Sequence, residues 1–128
     1  MSIRKLISKI SALKQNVLIT ITASEIKAEN LETGLTHSML RKSSHPRTLA
    51  GDFYKMEMEF KEVLSKVLIR KWIQPQLVVS LSGCSEGGYT NIENRAFLEA
   101  AYGASNAINV IISDKVISTK QAIELLSA

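Results

Sequence analysis

Gln74-Pro75-Gln76-Leu77-Val78-Val79-Ser80-Leu81 decides the fold. Leu77–Leu81 is a near-continuous apolar run of strand length, the pattern of a central strand covered on both faces. Gln74-Pro75 stops the helical pattern that precedes it. Downstream, Ser82–Tyr89 (SGCSEGGY) is a glycine-rich connection. Thr90 with Glu93 three residues on has capping-box spacing, which predicts a helix over 91–104. Val110–Ile112 reads as another short buried strand, and Ser118 with Gln121 repeats the capping pattern ahead of a last helix through Leu126. This alternation of strand and helix implies crossovers and a mostly parallel sheet in the second half.

Working upstream, Asp52–Ile73 predicts a long helix with a stripe of Phe53, Met56, Phe60, Val63, Leu64 and Val67. Asp52 is placed to cap it, and Glu57/Lys61 is a favourable i, i+4 pair. Arg41–Gly51, polar and containing His45-Pro46, reads as a loop. Before it stand three strand-like pieces: Val17–Ala23 (VLITITA), Ile26–Leu31 and Leu35–Leu40, with Glu32-Thr33-Gly34 as a turn. They form a meander. Residues 2–15 predict an amphipathic helix with Ile3, Leu6, Ile7, Ile10 and Leu13 on one face, and Arg4, Lys5, Lys9 and Lys14 among the residues opposite.

The expected protein is thus one α/β domain across 1–128: a basic helix over 1–15, then a core over 17–128 with a three-strand meander followed by α-β-α-β-α. Composition agrees. The 128 residues are 45% hydrophobic and 22% charged, ordinary values for a globular chain. No apolar run reaches the roughly 18–20 residues that span a bilayer, and the start lacks the pattern of a secretory signal. One cysteine, Cys84, excludes an internal disulfide framework and fits a reducing compartment, so the expected location is the cytoplasm. The net charge of +4 is concentrated at the N-terminus and around Arg41, Lys42 and Arg47. Aromatic residues are 5% and none interleaves with those bases, which argues against a nucleic-acid interface.

The order of elements resembles the ribonuclease H-like core, the repeated unit of the actin-like ATPases. At residue level the second half is similar to the first such half of MreB, the bacterial actin. The similarity runs through Gln74–Leu81, through Thr90-Asn91-Ile92-Glu93-Asn94-Arg95-Ala96 at the helix start, and through Ala100-Ala101-Tyr102-Gly103-Ala104 into Val110-Ile111-Ile112. Asp52-Phe53 resembles that family's Ala-Asp-Phe. The chain also resembles the small YjaA-like bacterial proteins, with which it shares Glu86-Gly87-Gly88 and which are described only as stress-related. The departures bear on function. An actin-like ATPase needs an Asp-Leu-Gly-Thr type turn after its first strand; here Thr20-Ile21-Thr22-Ala23-Ser24 stands there. Two-metal hydrolysis needs clustered carboxylates at strand ends, and VLITITA and LVVSLS hold none.

Three surfaces remain as candidates. The loop Gly83, Cys84, Glu86, Gly87, Gly88 and Tyr89 reads as a plain strand–helix connection, a partner contact, or a weak anion or nucleotide site at a helix N-terminus. Thr90 and Glu93 read as a helix cap or as a remnant of the family's nucleotide-water site. The helix over 2–15 reads as a packing or dimer element, or as a peripheral contact with anionic lipid. His37, His45 and Cys84 make no familiar metal set, and no cofactor is expected. The leading expectation is a non-catalytic protein that binds a protein partner, itself or another, in the stress or envelope context that the resemblance implies. An open sheet edge at the meander is one place where two chains could pair.

Overall fold

The computed structural model describes residues 15–22, 24–41, 53–69, 74–81, 91–113 and 117–127, with only the backbone for 53, 91–94 and 127. Five strands, β1 (Gln15–Ile21), β2 (Glu25–Asn30), β3 (Thr36–Leu40), β4 (Pro75–Leu81) and β5 (Asn109–Ser113), form one mixed sheet in the order β3-β2-β1-β4-β5. β2 runs antiparallel to β1 and β3, while β1, β4 and β5 are mutually parallel. The three described helices are α1 (Phe53–Val67), α2 (Asn91–Ser105) and α3 (Thr119–Ser127).

The period-2 pattern decides what each face buries. Val17, Ile19 and Ile21 of β1 line up with Leu77, Val79 and Leu81 of β4, and Ile26 and Ala28 extend the row on β2. This face packs on Met56, Phe60, Val63, Leu64 and Val67 of α1 and on Phe97, Ala100 and Ala101 of α2. Each fully buried large side chain there stabilises by about 1.5–3 kcal/mol. Among the described residues the opposite face is thinner: Leu18 and Val78 meet Ala122 of α3, with Leu31, Ile111, Ile117 and Leu126 around them. β4 is therefore apolar on both faces, as its sequence requires.

Ser118 and Gln121 form the expected reciprocal cap, the Ser118 N–H donating to Gln121 Oε1 (2.9 Å) and the Gln121 N–H to Ser118 Oγ (3.2 Å). Glu57 and Lys61 pair at 3.8 Å.

Three expectations are corrected. The long helix stops at Val67 and does not reach Ile73. Two buried amides account for its end: Asn30 Nδ2 donates to the Val67 carbonyl (3.0 Å), and Gln15 Oε1 accepts the Ile69 N–H (2.9 Å). They satisfy terminal groups that a continuing helix would have used. Gln15, expected in the N-terminal helix, is the first residue of β1 and is buried there. Arg41, expected with Lys42 and Arg47 in a basic loop, is also buried. The rest of the 1–15 helix, most of the 41–51 loop, Asp52 and Trp72 lie outside the described residues.

Candidate functional site at the carboxyl ends of the strands

In an open sheet with parallel strands, ligands sit beyond the strands' carboxyl ends, where successive connections diverge. Here that point lies between β1, which leads outward to β2, and β4, which pairs with β5 on the other side. The residues ending the two strands are Thr20, Ile21 and Thr22 on one and Ser80 and Leu81 on the other. Ile21, Ser80 and Leu81 are buried.

The turn from β1 to β2 is closed on itself. The Thr22 N–H donates to the Glu25 carbonyl (2.9 Å). Thr22 Oγ1 accepts the N–H groups of Ser24 (3.3 Å) and Glu25 (2.9 Å) and donates to the Glu25 carbonyl (3.2 Å). Each described N–H of the turn thus has an acceptor within it. Threonine is suited to this because a β-branched hydroxyl can bond backbone groups two and three residues on.

Arg41 secures the same turn from the side. Its backbone N–H donates to the Ser24 carbonyl (2.9 Å), and Nη1 donates to the Thr22 carbonyl (3.1 Å). Its Nε lies 3.6 Å from Oε1 of Glu59 on α1, with both side chains buried. Burial lowers the Arg41 pKa from its usual value, while the charge of Glu59 and a hydrogen bond to it oppose that shift. This buried pair joins the strand ends to the helix.

A second feature was not legible in the sequence. On the α3 face a hollow of about 330 Å³ lies between Leu18, Thr20, Lys27 and Glu29 of the strands and Ile117, Ser118 and Thr119 before and at the start of α3. The Thr119 hydroxyl donates to Glu29 Oε1 at 2.7 Å. The hollow combines an apolar floor with a cation, an engaged carboxylate and hydroxyls, a lining suited to holding a small polar group. Only tertiary pairing of residues 90 apart assembles it.

The loop residues Gly83, Cys84, Glu86, Gly87, Gly88 and Tyr89, the cap residue Thr90, and the helix residues Ile3 to Lys14 lie outside the described residues. Glu93 is in the first turn of α2 by its backbone, and its side chain lies outside the description. Among the described residues no group of three His, Cys, Asp or Glu side chains could hold a metal ion, and no helix is long and apolar enough to cross a membrane. No protein-family model matches the chain, and no curated protein matches it.

Proposed function

We propose that this chain is a non-catalytic bacterial protein with the topology of a ribonuclease H-like, actin-type half-domain, acting in the cytoplasm through a protein partner. The strand order β3-β2-β1-β4-β5 with β2 alone reversed supports the topology. The observation that carries the functional reading is the closed turn at Thr22. In an actin-like ATPase this turn offers backbone N–H groups to phosphate. Here the Thr22, Ser24 and Glu25 N–H groups are bonded within the turn, and the nearby cation of Arg41 is committed to Glu59. Phosphate would have to break several short bonds to enter, each worth about 0.5–1.5 kcal/mol net.

The test is a titration with magnesium-ATP followed by calorimetry and by phosphate release. No heat and no turnover are expected, for the chain and for Glu93→Ala alike. Magnesium-dependent ATP turnover that Glu93→Ala abolishes would overturn the proposal. It would make Glu93 and the 83–90 loop the working parts of a nucleotide site. A vesicle-flotation arm compares the chain with a variant whose Arg4, Lys5, Lys9 and Lys14 are alanine. Salt-sensitive binding lost in that variant would make anionic lipid the partner surface.

A further inference from the structure

We infer that the free edge of β3 is a self-complementary seam, through which two copies of this chain pair as a two-fold dimer with one continuous sheet. The argument begins with where the backbone of β3 points. Asn30 N–H donates to the Leu35 carbonyl and Arg41 N–H to the Ser24 carbonyl, so the odd residues 35, 37, 39 and 41 face β2. By alternation, the N–H and C=O groups of Thr36, Ser38 and Leu40 face outward. Among the described residues no hydrogen bond reaches them, and β3 ends the sheet. Leu40 is 73% exposed.

Edges left unpaired are ordinarily blunted by charge, proline or a bulge. Thr36-His37-Ser38-Met39-Leu40 has no proline and no lysine, arginine or acid. The arginine that follows it turns inward to Glu59.

The strand also fits itself. In the antiparallel register centred on Ser38, Thr36 faces Leu40 of the second copy, Ser38 faces Ser38, and Leu40 faces Thr36. All three pairs are of the hydrogen-bonded kind and each exchanges two bonds. A shift by two residues in either direction gives up part of that set. On the α1 face, half-buried His37 and Met39 come opposite Met39 and His37 of the second copy. The row Ile19, Ala28, His37 then continues into Met39, Ile26 and Ile21 across the seam. On the other face the like charges that the described residues bring into line across the seam are the two Lys27 side chains, each beside a Ser38, and Glu25 with Glu29 of the second copy, beyond Leu40 and Thr36. The members of each pair are three strand spacings apart, about 14 Å, beyond the Debye length of ~8 Å at physiological salt. These described charges therefore do not oppose the seam. This inference is independent of the functional reading above, since ATP turnover by a dimer would end that reading and leave this one intact.

Sedimentation equilibrium from low micromolar to millimolar chain, with residue-level amide exchange, tests it. A monomer–dimer equilibrium is expected, with the amides of Thr36, Ser38 and Leu40 protected only as the dimer fills. Those of His37 and Met39 are protected throughout. Ser38→Pro removes an N–H that no bond within the chain uses, so the fold is kept. The dimer should weaken on the order of 30-fold from the two bonds lost at the axis. Ser38→Lys and Ser38→Glu each place like charges directly opposite one another at the axis, on Cα atoms about 5.5 Å apart. Each alone should be monomeric, and their mixture should pair. A chain monomeric at millimolar concentration overturns the inference. So does a dimer indifferent to Ser38→Pro, or an edge protected only when a different protein is added.

Discussion

Asn30 is bonded through both ends of its side-chain amide. Its Nδ2 donates to the Val67 carbonyl, and its Oδ1 accepts the N–H groups of Glu32 (3.0 Å) and Thr33 (3.3 Å). Its backbone carbonyl accepts the N–H of Gly34, which stands at φ +77. One amide thus ends α1 and shapes the β2–β3 turn. Asn30→Ala should lower unfolding free energy by about 2–3 kcal/mol, because a buried carbonyl and two turn donors lose their partner together. Asn30→Asp keeps the acceptor but loses the donor to Val67, and urea melts should rank it below wild type as well. Arg41 and Glu59 give a second prediction at this scale. Removing either partner alone strands a buried charge, and Arg41→Met or Glu59→Met should cost about 3–5 kcal/mol. The double variant should be less destabilised than the sum of the singles. A double-mutant cycle that sums without coupling would show that the two side chains do not act as a pair.

Elements differ in how far their residues announce them. β4 was legible because its apolar run has one outcome, a strand covered on both faces. α3 was legible because Ser118 and Gln121 supply a local cap. The end of α1 was not, since Val67, Leu68 and Ile69 continue an apolar helical pattern. What stops them is Gln15, 54 residues earlier, and Asn30, 37 residues earlier. Arg41 misled for the same reason: a base after a strand reads as surface until Glu59 is seen beneath it. The closed Thr22 turn was half legible, in the missing glycine and aspartate, but the direction of its hydroxyl was not. The end of α2 is likewise a local feature. Asn106 follows the helix at φ +52, and its N–H returns to the Tyr102 carbonyl at 3.3 Å. Asparagine tolerates this left-handed conformation and glycine tolerates it better. Asn106→Gly should be neutral or stabilising by up to about 1 kcal/mol, and Asn106→Ala destabilising by about 1 kcal/mol, on thermal melts.

At the scale of the molecule, the described residues cover the two faces of the sheet unequally, and stability should divide along that line. Two helices and seventeen buried residues among those described hold one face, from Ile26 on β2 to Val110 on β5. On the other, among the described residues, α3 contributes one fully buried side chain, Ala122, packs closely on β1 and β4, and touches β2 through the Thr119–Glu29 hydrogen bond. Beyond its reach on that face, Lys27, Thr36, Ser38 and Leu40 are exposed. Segments with few buried apolar contacts open at lower free energy than the global transition. Amides of α3 should therefore exchange through a local opening, while those of β1 and β4, central and covered on both sides, exchange only on global unfolding. Leu126→Ala separates the two processes. It trims a half-buried side chain packed against the cluster of Leu18, Val78 and Ala122, and should speed α3 exchange about 10-fold while leaving β1 and β4 nearly unchanged. Equal acceleration in α3, β1 and β4 would instead mean that the thin layer is cooperative with the thick one. The hollow lined by Lys27 and Thr119 lies where α3 meets β2, so a ligand held there should slow α3 exchange selectively. That signature would separate occupation of the hollow from pairing at the β3 edge, which protects Thr36, Ser38 and Leu40 and leaves α3 as it was.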